Sequence, residues 1–193
     1  MKLILGSTSP RRLEILNFFS FPFDLASPPF VEEIVPFTGD PINFATTISE
    51  GKAHSLLPLY PDQLILTADT VVYREGKVYG KPASSNEAIQ MLSELQDGWH
   101  SVFTAMTLSK KGTLISYCEE TKILFHPLSL EKIQRYQESI HTKDKAGGYA
   151  IQQAGSLIVK KIEGSYYNVM GLSINGLQKL FEEVGLNLWE YLK

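Results

Sequence analysis

Cysteine is almost missing from this sequence. One residue, Cys118, stands among 193, so no internal disulfide can form and no thiolate cluster can hold a metal. Long apolar runs are missing too: Leu3-Ile4-Leu5 is followed at once by Gly6, Ser7, Thr8 and Pro10. Neither a signal peptide nor a membrane span is therefore expected, and the chain is expected to be cytoplasmic. Nor is there an excess of positive charge. The 18 Lys and Arg face 21 Asp and Glu, a formal net charge of −3, so no global field draws the chain to nucleic acid or to an anionic membrane. Any polyanion site has to be local. The histidines, at 54, 100, 126 and 141, lack metal-ligand spacing. Phosphate-loop, dinucleotide-binding, zinc-protease and nucleophile-elbow signatures are absent as well. No internal repeat or low-complexity linker divides the chain, so residues 1–193 are expected to form a single domain.

What is present is an ordinary globular balance, 44% hydrophobic and 20% charged, enough for a substantial core. The most informative stretch runs from Leu3 to Leu16, LILGSTSPRRLEIL. Leu3 to Leu5 suit a buried strand, Ser9 is a good helix N-cap, and Pro10 falls at the first helical position, where its missing N–H costs nothing. Arg11 and Arg12 thus stand in a first turn, where the helix dipole disfavours each by roughly 0.3–1 kcal/mol. An anion would offset that. Backbone N–H groups, the hydroxyls of Ser7, Thr8 and Ser9, and two guanidinium forks suit a phosphate chain. The competing reading is an exposed helix start whose arginines are solvated or paired with Glu14.

Further along, Phe21–Val35 reads as a strand and then a loop carrying Glu32 and Glu33. Asp40 and Pro41 open a helix with Ile42, Ala45, Ile48, Ala53 and Leu56 as its apolar stripe, and Lys52 lies on it. Gln63–Ala68 reads as a buried strand that ends by delivering Asp69 and Thr70. Residues 71–73 and 77–79 read as a hairpin, followed by Gly80-Lys81-Pro82. Ser84 and Glu87 have capping-box spacing for a helix that runs to a stop at Gly98. Two long antiparallel strands are expected around Lys111-Gly112, then a helix opened by Ser129. Residues 142–155, with Lys143, Asp144, Lys145, Gly147 and Gly148, read as a polar loop around a short strand. A strand at 157–162 and a last helix capped by Ser173 complete an α/β pattern with a mixed sheet.

Asp69 is the carboxylate to single out, because an acid on a rigid strand of an α/β sheet is well placed to face a ligand. It serves as general base, as metal ligand, or merely as a turn-forming residue. Arg11, Arg12, Lys52, Lys81 and Lys145 decide between these. Each alone is an ordinary surface cation; converging, they would hold a triphosphate and offset charge developing on the phosphoryl group and departing pyrophosphate.

Eight stretches occur in order: Ser7-Thr8-Ser9-Pro10-Arg11-Arg12, Glu32-Glu33, Lys52-Ala53, Ala68-Asp69-Thr70-Val71-Val72, Gly80-Lys81-Pro82, His100 to Ala105, Asp144 to Gln152, and Gly164 to Leu172. In them the chain resembles the Maf family of nucleoside triphosphate pyrophosphatases, also called septum formation inhibitor-like proteins. The resemblance implies an elongated mixed sheet flanked by helices, two lobes around a central cleft as in inosine triphosphatases, and a homodimer. It implies metal-dependent hydrolysis, with Mg2+ or Mn2+, of a nucleoside triphosphate to the monophosphate and pyrophosphate. Asp69 matches the proton acceptor, with Lys52 and Lys81 as further catalytic residues. Ser7, Arg11, Arg12, Thr70, Gln152 and Lys145 match substrate-binding positions, and Glu33 is the expected metal ligand. The Asp144–Gln152 stretch is similar to the branch acting on dTTP and UTP, and a side-chain amide such as Gln152 both donates to and accepts from a pyrimidine edge. Other nucleotides, among them 7-methyl-GTP, and a non-catalytic nucleotide-binding regulator of septum formation are the alternatives. Gly6, Ala150, Gln153 and Ser173 depart from the family's usual residues.

Overall fold

The computed structural model describes residues 2–140, 142 and 144–193. Lys143 and His141, both weighed in the sequence, lie outside the described residues. The fold is mixed α/β. Its strands are β1 (Leu3–Gly6), β2 (Phe23–Ala26), β3 (Leu64–Arg74), β4 (Lys77–Tyr79), β5 (Trp99–Lys110), β6 (Thr113–Phe125) and β7 (Val159–Glu163). They form a seven-stranded mixed sheet in the order β2-β1-β3-β5-β6-β7, with β4 paired to β3. The helices are α1 (Pro10–Leu16), α2 (Pro41–Leu56), α3 (Ser85–Leu95), α4 (Leu130–Ser139), α5 (Tyr166–Met170) and α6 (Ile174–Glu183). Among the described residues no helix is long and apolar enough to cross a membrane.

Contacts divide the chain into two units, one of residues 1–69, 104–119 and 171–193, the other of residues 70–103 and 120–170. In the first, β1 pairs in parallel with both β2 and β3, Leu3 lying opposite Phe23 and Leu64. Parallel neighbours need crossover connections, and α1 and α2 supply them. Asp40 caps α2 by accepting from the N–H groups of Ile42 and Asn43 at 2.9 and 3.2 Å. Ile4, Leu56 and Ile65 pack together beneath it. Ile42, placed in the buried stripe by its spacing, is 50% exposed in the first turn of α2, where Ala45, Ile48 and Ala53 are buried.

In the second unit the core gathers Val72, Leu92, Leu95, Val102, Ile123, Phe125, Ile133, Tyr136 and Tyr149. Ser84 caps α3 through the Glu87 N–H at 3.2 Å, while the Glu87 carboxylate reaches the N–H of Ala83 at 2.7 Å, one residue before the cap. The helix stops at Leu95, short of Gly98, whose missing Cβ makes room for the Arg74 guanidinium. Two further expectations are corrected. The strand expected to end at Ala68 continues unbroken to Arg74, because Thr70 to Tyr73 are themselves good strand residues, and Asp69 stands in its middle. No strand lies within the described part of 142–155. Gly147 and Gly148 have φ of +72° and +68°, a left-handed pair that breaks extended backbone and leaves short 3-10 turns at 146–148 and 153–157.

Candidate active site

Two spacings dock α2 on β3. Ser49 and Lys52 are three apart on the helix, and Thr67 and Asp69 two apart on the strand, so each pair shares one face. The Thr67 hydroxyl donates to the Ser49 carbonyl at 2.7 Å, and the Lys52 ammonium donates to Asp69 Oδ1 at 2.8 Å. Both Lys52 and Asp69 are 7% exposed. Glu32 completes the pair: its Oε1 lies 2.8 Å from the same Lys52 Nζ. Glycine inside a helix costs about 1 kcal/mol relative to alanine, yet Gly51 precedes Lys52. A Cβ there would stand 2.3 Å from the Phe30 ring, so the missing side chain lets Phe30, and with it Glu32, come close to α2.

Arg12 is held by two acceptors. Its Nε donates to the Gly171 carbonyl at 2.8 Å and its Nη1 to Ser7 Oγ at 3.2 Å. Ser7, itself buried, also accepts the Ser9 N–H at 3.1 Å. Ser9 is the N-cap of α1 by position, though its side chain makes no capping bond. Burial lowers the Arg12 pKa from its ordinary value, while the charges of Asp69 and Glu32 raise it against that effect. A guanidinium keeps its proton under such opposing influences. The first unit thus holds Ser7, Arg12, Lys52 and Asp69, with the charges of Asp69 and Glu32 acting on Arg12, and Arg11 stands half-buried beside Arg12. Between the two adjacent acids, Glu32 is the one on Lys52, and Glu33 is exposed.

In the second unit, Thr70 follows Asp69 on β3 and Lys81 is exposed after Gly80. The Gly80 carbonyl accepts the Gly147 N–H at 3.0 Å, tying the Lys81 loop to the glycine-rich loop. Lys145 pairs with Asp144 at 2.6 Å, and Gln152 is half-buried. His100 is buried against Phe125, its Nε2 2.9 Å from the Tyr149 hydroxyl. Burial, and secondarily the charge of Arg74, push its pKa down to about 3, so it stays neutral and unsuited to accept and hold a proton near pH 7. The Gly171 carbonyl was not singled out by side-chain reasoning, since a backbone acceptor leaves no residue signal beyond the Gly164–Leu172 stretch.

The profile of the "Maf-like protein" family matches residues 2–184. The chain belongs to the Maf family. Proteins named dTTP/UTP pyrophosphatase from Chlamydia felis and Chlamydia caviae are each 45% identical to this Maf-family chain over 192 residues, 99% of it and 98% of their own length. Among solved structures, the nucleoside-triphosphatase (dITP/XTP pyrophosphatase) of Mycobacterium abscessus is similar at a TM-score of 0.42 and 15% identity, over 64% of this chain and 72% of that one.

Proposed function

We propose that this Maf-family protein hydrolyses dTTP and UTP to the nucleoside monophosphate and pyrophosphate, with residues 1–193 acting as one nucleotide-binding domain. The names of its full-length relatives support the reaction and the bases. The observation that carries the chemistry is the buried Lys52 ammonium, 2.8 Å from both Asp69 and Glu32, with the Arg12 guanidinium in electrostatic range of both acids.

In this reading Asp69 is the general base. Lys52 occupies Oδ1, holds the carboxylate in place, and leaves Oδ2 to take a proton from the attacking water. Arg12, steadied by Gly171 and Ser7, presents cationic charge to the phosphates and to the departing pyrophosphate. Lys81, Lys145 and Arg11 add to that charge, while Thr70 and Gln152 meet the nucleoside.

The donor set suits a small divalent cation that arrives with the substrate. Among the described residues no group of three or more His, Cys, Asp or Glu side chains converges on one point, which argues against an all-protein cage. Mg2+ is commonly held by one or two carboxylates together with substrate phosphates, and Glu32 would provide one, in preference to the exposed Glu33, leaving Asp69 Oδ2 for the proton. Bound there, Mg2+ or Mn2+ would align the phosphates and withdraw charge from them.

The test is product identification with Mg2+ or Mn2+ and, separately, dTTP, UTP, CTP and 7-methyl-GTP. Monophosphate plus pyrophosphate from dTTP and UTP is expected. Orthophosphate as product would overturn the reaction, and another preferred nucleotide would overturn the base assignment alone.

A further inference from the structure

The glycine-rich loop is held in an unusual way. Residues 149–152 belong to no helix or strand, yet Tyr149 and Ala150 are only 4% and 5% exposed. Buried backbone without a ladder has to find partners elsewhere. Tyr136, on α4, supplies both for Ala150: its hydroxyl donates to the Ala150 carbonyl at 3.1 Å and accepts the Ala150 N–H at 3.0 Å. Its neighbour Gln137 donates from Nε2 to the Gly148 carbonyl at 2.7 Å. The Thr142 hydroxyl donates to Gln137 Oε1 and so fixes the amide's orientation. Between these anchors the Tyr149 hydroxyl meets His100. Residues 148, 149 and 150 are therefore each gripped by a different side chain from outside the loop. Beyond them Gly155 packs so closely that a Cβ would stand 2.6 Å from the Ala150 carbonyl oxygen.

We infer that Tyr136, assisted by Gln137, is a positioning residue for base selection: it fixes the backbone at Ala150 and thereby sets where the Gln152 amide stands. This rests on the reading that Gln152 meets the base. A recognising amide discriminates only if its donor and acceptor are held within a fraction of an ångström, and residues 149–152, between two short 3-10 turns, have no ladder of their own to do that. Tyr136 is buried, at 6% exposure, with its hydroxyl committed to the loop backbone. Removing its hydroxyl leaves both backbone groups of Ala150 without their partner, and the chain relaxes two residues before Gln152.

Tyr136→Phe removes one oxygen and keeps the ring in the core. The ratio of kcat/KM for dTTP to that for CTP should fall about tenfold, mostly through KM for dTTP, with kcat changed by less than about threefold. Gln152→Ala should lose the same preference, and Tyr136→Phe added to it should lower the ratio no further. Gln137→Leu, at a half-buried position, makes the same test if Tyr136→Phe fails to fold. Equal losses on every nucleotide, or additive losses in the double variant, would overturn the proposal. Preference lost in Gln152→Ala but kept in Tyr136→Phe and Gln137→Leu would overturn it while leaving Gln152 at the base. Preference kept in Gln152→Ala would overturn the base contact, and the proposal with it.

Discussion

Lys52 and Asp69 form a buried ion pair at 2.8 Å, and Glu32 closes on the same ammonium from its other side. One cation thus serves two carboxylates, and the arrangement is costly to break from either end. Removing one member of a buried pair leaves an uncompensated charge, typically at a cost of about 3–5 kcal/mol. Lys52→Met should therefore lower the free energy of urea unfolding by that order and abolish turnover. Adding Asp69→Leu should restore most of the stability and none of the activity.

Asp69→Asn separates the proposed base from the proposed cradle. Turnover should fall by at least about 10²-fold, while a nonhydrolysable dTTP analogue should bind within a few-fold of its wild-type affinity by calorimetry. Unchanged turnover would remove Asp69 from the reaction.

Arg12 uses two nitrogens on two acceptors, Gly171 at 2.8 Å and Ser7 at 3.2 Å. Lysine keeps the charge but lacks the planar fork. Arg12→Lys should raise KM for dTTP about tenfold, the effect of roughly 1.4 kcal/mol of lost binding, and steady-state kinetics would show it.

His100 gives the fold an acid limb. Its folded-state pKa, about 3, lies below the ordinary value of 6.5, so below about pH 6.5 the unfolded chain binds a proton that the folded chain refuses. The stabilising contribution is complete above that pH and is lost as pH falls toward 3, by up to about 1.4 kcal/mol per unit. Unfolding followed from pH 7 to pH 4.5 should show this slope, and His100→Gln should flatten it.

Gln153 has a φ of +56°, in the left-handed region that favours glycine. Its side chain is exposed, so the position's demand concerns the backbone and not space. Gln153→Gly should raise stability by about 0.5 kcal/mol, relief of left-handed strain exceeding the entropy glycine loses on folding. Thermal melts would detect it, and base preference should not change.

Much of this architecture was legible in the sequence because its signals are local. Asp40-Pro41, Ser84, Ser129 and Ser173 each mark a helix start that depends on nothing distant, and Lys111-Gly112 marks the β5–β6 hairpin with left-handed turn residues at φ of +51° and +81°. Where reading failed, a neighbour decided. The apolar run stops at Ala68, yet β4 pairs with residues 72–74 and helps keep β3 extended past Asp69. Ile42 fits the helical period but is half exposed in the first turn. The approach of Glu32 to Lys52 goes with the Phe30–Gly51 contact, which no spacing reveals. The grip of Tyr136 on Ala150 was equally hidden, since Tyr136 has the signature of any core aromatic on an amphipathic helix.

Gly6 closes β1 just ahead of Ser7. A Cβ built there would stand 2.6 Å from Leu56 Cδ1 and 2.7 Å from Thr67 Cγ2, so the volume given up at residue 6 has been taken by residues 56 and 67. The three positions are thus one packed set: with Leu56 and Thr67 fully buried, an alanine at residue 6 would be an intruder unless a smaller side chain at 56 or 67 made way for it.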